Sequence, residues 1–138
     1  MFRILSIDHL VLRVTDLPVM RAFYCGVLGC TVEREVPDLG LTQLRAGSSL
    51  IDLVAVDGPL GEQGGAAPGS QGHNLDHFCL TIAPFDAAQI QRHLQAHGVP
   101  FGAVVSRLGA GGRGPSIYVS DPQGNTVELK GPPHSPER

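Results

Sequence analysis

Apolar residues alternate with polar ones near both ends of the chain. In residues 7–14 (IDHLVLRV), a strand places Leu10, Leu12 and Val14 on one face and His9, Val11 and Arg13 on the other. Residues 76–82 (DHFCLTI) repeat this design, with Phe78, Leu80 and Ile82 on the core face and His77, Cys79 and Thr81 opposite. A helical period follows the first strand: behind Asp16 as cap and Pro18 in the first turn, Met20, Phe23, Tyr24, Val27 and Leu28 recur at i, i+3, i+4, i+7 and i+8. Gly29 stops it. Three strands are then predicted over residues 31–36, 41–46 and 49–56, separated by turn-forming residues. The second half shows the same order. Its first strand is followed by a helix over residues 86–97, with Ala87, Ile90 and Leu94 inward and Gly98 as its stop. Strands over 101–106, 116–120 and 125–130 complete it, the last two joined by the turn Asp121-Pro122-Gln123-Gly124.

The pattern predicts an α+β fold of two tandem βαβββ modules, residues 5–56 and 75–130, within a single domain spanning 1–138. Placed side by side, the two sheets would form one curved mixed sheet, a half-open barrel with the helices outside. Residues 57–74 are a connector rich in glycine and proline without periodicity, which would let the modules pair within a chain or between chains. The tail, 131–138 (GPPHSPER), reads as disordered. A chain of 138 residues buries enough surface to fold without a disulfide or metal staple, so folding alone does not explain the histidines.

Four polar residues interrupt the apolar pattern at matching places. His9 and His77 lie on the first strand of each module; Asp52 sits between Ile51 and Leu53, and Glu128 between Val127 and Leu129, on the last strands. Alternation turns all four toward one polar face, and neutral imidazole with carboxylate suits a divalent ion such as Zn, Ni, Co, Mn or Fe(II). The glycine-rich residues 108–114 (LGAGGRG) lack the ending of a phosphate loop and read as a lid. Arg107 and Arg113 flank it as candidate ligands for a substrate carboxylate or phosphate, with Tyr118 nearby on a strand. A net charge of -3 argues against nucleic acid as a partner, and no apolar stretch is as long as a membrane span. With no export signal in MFRILS and an odd count of three cysteines, a cytoplasmic protein with reduced thiols is expected.

The segments IDHLVLRV, FYCGVLG, LDHFCLTI and SIYVSDPQGNTVEL together resemble the vicinal oxygen chelate superfamily, which includes glyoxalase I, extradiol dioxygenases and bleomycin-resistance proteins. The resemblance covers residues 5–130 and is nearest to a small glyoxalase-domain-containing branch. It implies His9, His77 and Glu128 as metal ligands. At the remaining ligand position Asp52 stands where glyoxalase I has glutamate, a shorter side chain. The implied activity is a metal-dependent lyase or isomerase that chelates vicinal oxygens of a small substrate, with Glu128 or Asp52 as the base. Two alternatives are an Fe(II)-dependent extradiol-type dioxygenase and a non-catalytic drug-sequestering protein. The family also implies a homodimer.

Overall fold

The structure, a computed structural model, describes residues 1–134 and divides into two compact units, Met1–Asn74 and Leu75–Arg138. In the first unit the order is β1 (His9–Val14), α1 (Leu17–Ala22), a π-helical turn (Phe23–Val27), β2 (Thr31–Val36), β3 (Leu41–Ala46) and β4 (Ser49–Ala55). The second has β5 (Phe78–Thr81), α2 (Ala87–Ala96), β6 (Val105–Gly109), β7 (Gly112–Ser120) and β8 (Thr126–Lys130). The sheets are ordered β1-β4-β3-β2 and β5-β8-β7-β6, so each unit is an open four-stranded βαβββ module. In each, the first strand pairs parallel with the last, and the other pairings are antiparallel. That one parallel pair requires a crossover, and the helix supplies it.

The helices begin where their caps predict. Asp16 accepts from the Val19 amide at 3.2 Å and Asp86 from the Gln89 amide at 3.1 Å, each filling an orphan donor of the first turn. The first helix differs from a uniform α-helix: after six residues it widens, and the Leu28 amide reaches back five residues to the Phe23 carbonyl at 3.2 Å. This wide turn contains Gly26, a weak helix former, and keeps both Phe23 and Tyr24 buried beside Met20. Helix α1 packs across β4, whose Ile51 and Leu53 are fully buried with Leu12, Val14 and Leu44. In the second unit the buried apolar set is Phe78, Leu94, Val99, Ile117, Val119, Val127 and Leu129. Both helices end at a glycine with positive φ, Gly29 at 81° and Gly98 at 67°. The next residue, Cys30 or Val99, then turns inward and bonds back to the helix at 2.9 Å in each case.

Several segments depart from their sequence reading: β5 begins at Phe78, so His77 lies just ahead of the strand, and β7 starts at Gly112 and not at Ser116. The strand expected over 101–106 forms at Val105–Gly109, and Phe101 makes only an isolated bridge to Val119. The neighbouring glycine-rich stretch, read as a lid, forms the β6–β7 hairpin. Its glycines make room: a Cβ on Gly109 would lie 2.8 Å from the Lys130 side chain and one on Gly114 would lie 2.9 Å from the Pro132 carbonyl. Nor is the connector loose where it leaves β4. The Arg13 guanidinium donates to the carbonyls of Gly61, Gly64, Ala66 and Gly65 at 3.0, 3.2, 3.0 and 2.7 Å, and the Asn74 amide side chain exchanges two 3.0 Å hydrogen bonds with the Arg13 backbone. At the other end, the Gly131 amide donates to Pro115 at 2.8 Å and the His134 amide to Arg113 at 3.0 Å. The rest of the expected disordered tail lies outside the described residues. No helix among them is long and apolar enough to cross a membrane.

Candidate functional site

Each unit carries one imidazole and one carboxylate on the sheet face opposite its helix. In the first, His9 stands at the start of edge strand β1 and Asp52 on the neighbouring β4. His9 Nδ1 donates to Asp8 Oδ1 at 2.7 Å, which leaves Nε2 facing Asp52 Oδ2 at 4.0 Å. That oxygen also accepts from Gln43, 3.2 Å away on β3. Asp52 is only 6% exposed, yet its Oδ1 is buried with no hydrogen-bond donor. The hydrogen bond to Asp8, and then the charge of Asp52, raise the His9 pKa above its ordinary value.

The second unit repeats the motif with a tighter pair. His77 Nδ1 donates to Asp76 Oδ2 at 2.5 Å and its Nε2 lies 3.4 Å from Glu128 Oε1. Glu128 accepts from the buried Ser116 hydroxyl at 2.6 Å. Burial alone would raise the Glu128 pKa, but hydrogen bonds from Ser116 and Cys79 and the charges of His77 and Arg107 outweigh it. The carboxyl is therefore held below the ordinary glutamate range and stays ionised at neutral pH. Cys79, opposite Glu128 in the ladder, has its thiol pushed up to about 11, first by desolvation and then by Glu128. It is a neutral hydrogen-bond donor and not a thiolate nucleophile.

The aromatic and basic candidates separate. Tyr118 faces Glu128 across the β7–β8 ladder; its ring meets His77 edge to face at 5.3 Å between centroids, and the Arg107 guanidinium carbon lies 4.5 Å from its centre. Arg113 is exposed and alternates to the other face of β7, so the structure does not bring it to this group. The four candidate ligands fall into two pairs, one in each unit. Among the described residues, no cluster of three or more His, Cys, Asp or Glu side chains is placed to hold an ion, so neither unit shows the convergence of all four that alternation suggested.

Alternation located the ligands but not what orients them. Asp8 and Asp76 fix the tautomer of each histidine, and their signal was the Asp-His dipeptide repeated in IDHLVL and LDHFCL. Ser116 and Gln43 left no such trace, because their roles follow from ladder register.

Comparison with known proteins agrees with this duplicated design. Residues 6–129 match the family model described as glyoxalase/bleomycin resistance protein/dioxygenase superfamily. The glyoxalase domain-containing protein RDO1 of Mycosarcoma maydis is 35% identical over 126 residues, covering 90% of this chain and 66% of that protein, just under two thirds of its length. YaeR of Escherichia coli K12 is 28% identical, with 90% of this chain and 94% of YaeR covered. Among solved structures, the integron cassette protein VCH_CASS1 from the mobile metagenome of V. cholerae superposes with a TM-score of 0.75 at 28% identity, over 98% of this chain and 99% of that one. With its paired βαβββ modules and a family match running nearly end to end, the chain belongs to the glyoxalase/bleomycin resistance protein/dioxygenase superfamily.

Proposed function

We propose that this protein is a metal-dependent enzyme of glyoxalase type, acting on a small substrate with two adjacent oxygens. The observation that carries the reading is the repeated triplet of aspartate, histidine and buried carboxylate: Asp8, His9, Asp52 and Asp76, His77, Glu128. In each, Nδ1 is occupied by the preceding aspartate, so whenever the ring is neutral its Nε2 presents a lone pair to a carboxylate oxygen. Two acceptors facing one another repel unless a cation or proton lies between them. The unpartnered Asp52 Oδ1, buried without a donor, fits the same requirement. This donor set of two imidazoles and two carboxylates suits Zn, Ni, Co, Mn or Fe(II). His9, Asp52, His77 and Glu128 would hold the ion, supplied by one protomer or by two protomers of a homodimer. When bound, a divalent cation polarises the substrate's oxygens as a Lewis acid.

The chain's own groups divide the remaining work. Glu128, kept anionic by Ser116, Cys79 and His77, is suited to hold positive charge. It is a poor resting base, because a group that loses its proton so readily accepts one weakly. Asp52 Oδ1 has no donor to displace and is the better acceptor for a proton taken from the carbon beside a carbonyl. Asp8 and Asp76 orient the imidazoles. A buried fourth carboxylate also favours this reading over the extradiol alternative, which uses two histidines and one carboxylate with open positions.

The test is proton exchange into deuterated water at the α-carbon of α-hydroxycarbonyl and hemithioacetal substrates, with the metal-loaded protein. Exchange that disappears in Asp52→Asn and needs the metal is the expected result. No exchange with any substrate of either class overturns the reading.

A further inference from the structure

We propose that Arg107, stacked on Tyr118 and assisted by Lys130, forms a subsite for an oxyanion, carboxylate or phosphoryl, carried by the substrate away from its reacting oxygens. The assignment of a substrate rests on the metal-dependent reading above; the anion subsite itself does not.

Arg107 differs from the other half-buried arginines. Arg13 donates to four carbonyls, and Arg45 pairs with Glu33 at 3.1 Å. Even the exposed Arg21 has its partner in Glu35. Arg107 alone is half-buried without a hydrogen bond or ion pair to any described residue, and its Nε is buried with no acceptor. A guanidinium stays charged at any accessible pH; the Tyr118 ring and the charge of Glu128 offset its burial in part, but the Nε–H stays without an acceptor until one arrives. The guanidinium carbon sits over the tyrosine ring, 4.5 Å from its centre. A cation–π contact engages no N–H donor, so the terminal N–H groups are left for an anion.

The surroundings favour an incoming anion over an internal one. Arg107 pairs across the hairpin with Gly114, so no side chain stands opposite it. A Cβ at Gly114 would lie 3.0 Å from Lys130 Nζ, which places a second cation beside that position. Lys130 is 7% exposed and donates to the Gly112 carbonyl at 2.8 Å, without a carboxylate partner among the described residues. Glu128, on the same face, is already engaged by Ser116 and faces His77, and it forms no ion pair with Arg107. Two buried or half-buried cations thus share one face with a single, occupied acid. Tyr118 touches both Arg107 and His77, so an anion held there lies one ring away from the histidine of the proposed reacting centre.

The experiment titrates chelator-treated protein with propionate and with inorganic phosphate, using propionamide as the neutral control. Arginine side-chain ¹⁵Nε–H resonances and tyrosine fluorescence are the readouts. The chain has two tyrosines and no tryptophan, and Tyr24 is fully buried, so the fluorescence change reports Tyr118. Saturable shifts with propionate or phosphate but not propionamide are expected, and the preferred anion identifies the carboxylate or phosphoryl class. Arg107→Gln should weaken binding at least tenfold with an unchanged thermal midpoint, and Arg107→Lys should fall between. Equal binding by Arg107→Gln, equal binding of propionamide, or no response to either anion overturns the subsite. Metal binding measured on the same proteins separates the two ideas. Metal bound without an anion response overturns the subsite alone, whereas an anion response in protein that takes up none of zinc, nickel, cobalt, manganese or iron(II) overturns only the metal reading.

Discussion

The two modules share a plan but differ in how firmly each holds its carboxylate. In the second, Glu128 receives a 2.6 Å hydrogen bond from a fully buried serine, and a thiol and an arginine lie close by. In the first, Asp52 has one longer bond, 3.2 Å from Gln43, and one oxygen with nothing to accept. The histidine to acid distance follows the same trend, 3.4 Å against 4.0 Å. Duplication has thus kept the strand positions and the Asp-His pairs while assigning different tasks: a settled anion in one module and an unsatisfied acceptor in the other. The edges differ as well. Arg13 ties the first module's edge strand to the connector, whereas Arg107 of the second makes no such bond.

The largest break in this comparison should come from Arg13→Ala. Losing four charge-assisted contacts is expected to lower stability by about 2 kcal/mol, with faster proteolysis within residues 57–72. A cleavage pattern like that of the unaltered protein would show that the connector is held by other means. Ser116→Ala should come next, at about 1.5–2 kcal/mol in denaturant unfolding, because it removes the fully buried hydroxyl donor of a buried carboxylate and leaves only the weaker thiol. Gln43→Ala should cost about 0.5–1 kcal/mol, since Asp52 is already half unsatisfied. Reversal of that order would mean that the two carboxylates are equally supported. The smallest effect concerns pH. Cys30 occupies the place that Val99 takes in the second module, and burial pushes its thiol from 9.0 up to about 11. Below pH 9 both folded and unfolded chains hold the proton and stability is unaffected; between 9 and 11 the unfolded chain alone releases it, so stability falls. Cys30→Val should flatten that fall in unfolding measured from pH 8 to 11, leaving only the share due to Cys79. An unchanged alkaline slope would show that Cys30 does not titrate in this way.

The architecture was legible because period-two and helical patterns with capping aspartates are local properties. Thr31–Val36 and Leu41–Ala46 formed with the expected bounds, and Asp16 and Asp86 start their helices. The errors arose where a local signal had a distant cause. The glycines at 109 and 114 gave no sign of the packing they serve, where Lys130 and Pro132 pass close to them. The apolar residues near Phe101 suggested a strand, but Pro100 and Gly102 flank it and the ladder begins only at Val105. The candidate ligands were visible because each interrupts an apolar alternation. The supports of those ligands were not, since the bond from Ser116 to Glu128 and that from Gln43 to Asp52 depend on cross-strand register. Two arginines flanking one loop looked equivalent, and alternation on β6 and β7 puts them on opposite faces.

The central claim is that the repeated triplets hold a divalent ion. Elemental analysis of protein purified without chelator tests it most directly, comparing the unaltered chain with His9→Ala and His77→Ala. Stoichiometric metal in the parent and a marked loss in each variant is the predicted result. A folded parent without bound metal that takes none up when dialysed against zinc, nickel, cobalt, manganese or iron(II) would contradict it, as would variants that retain the full complement.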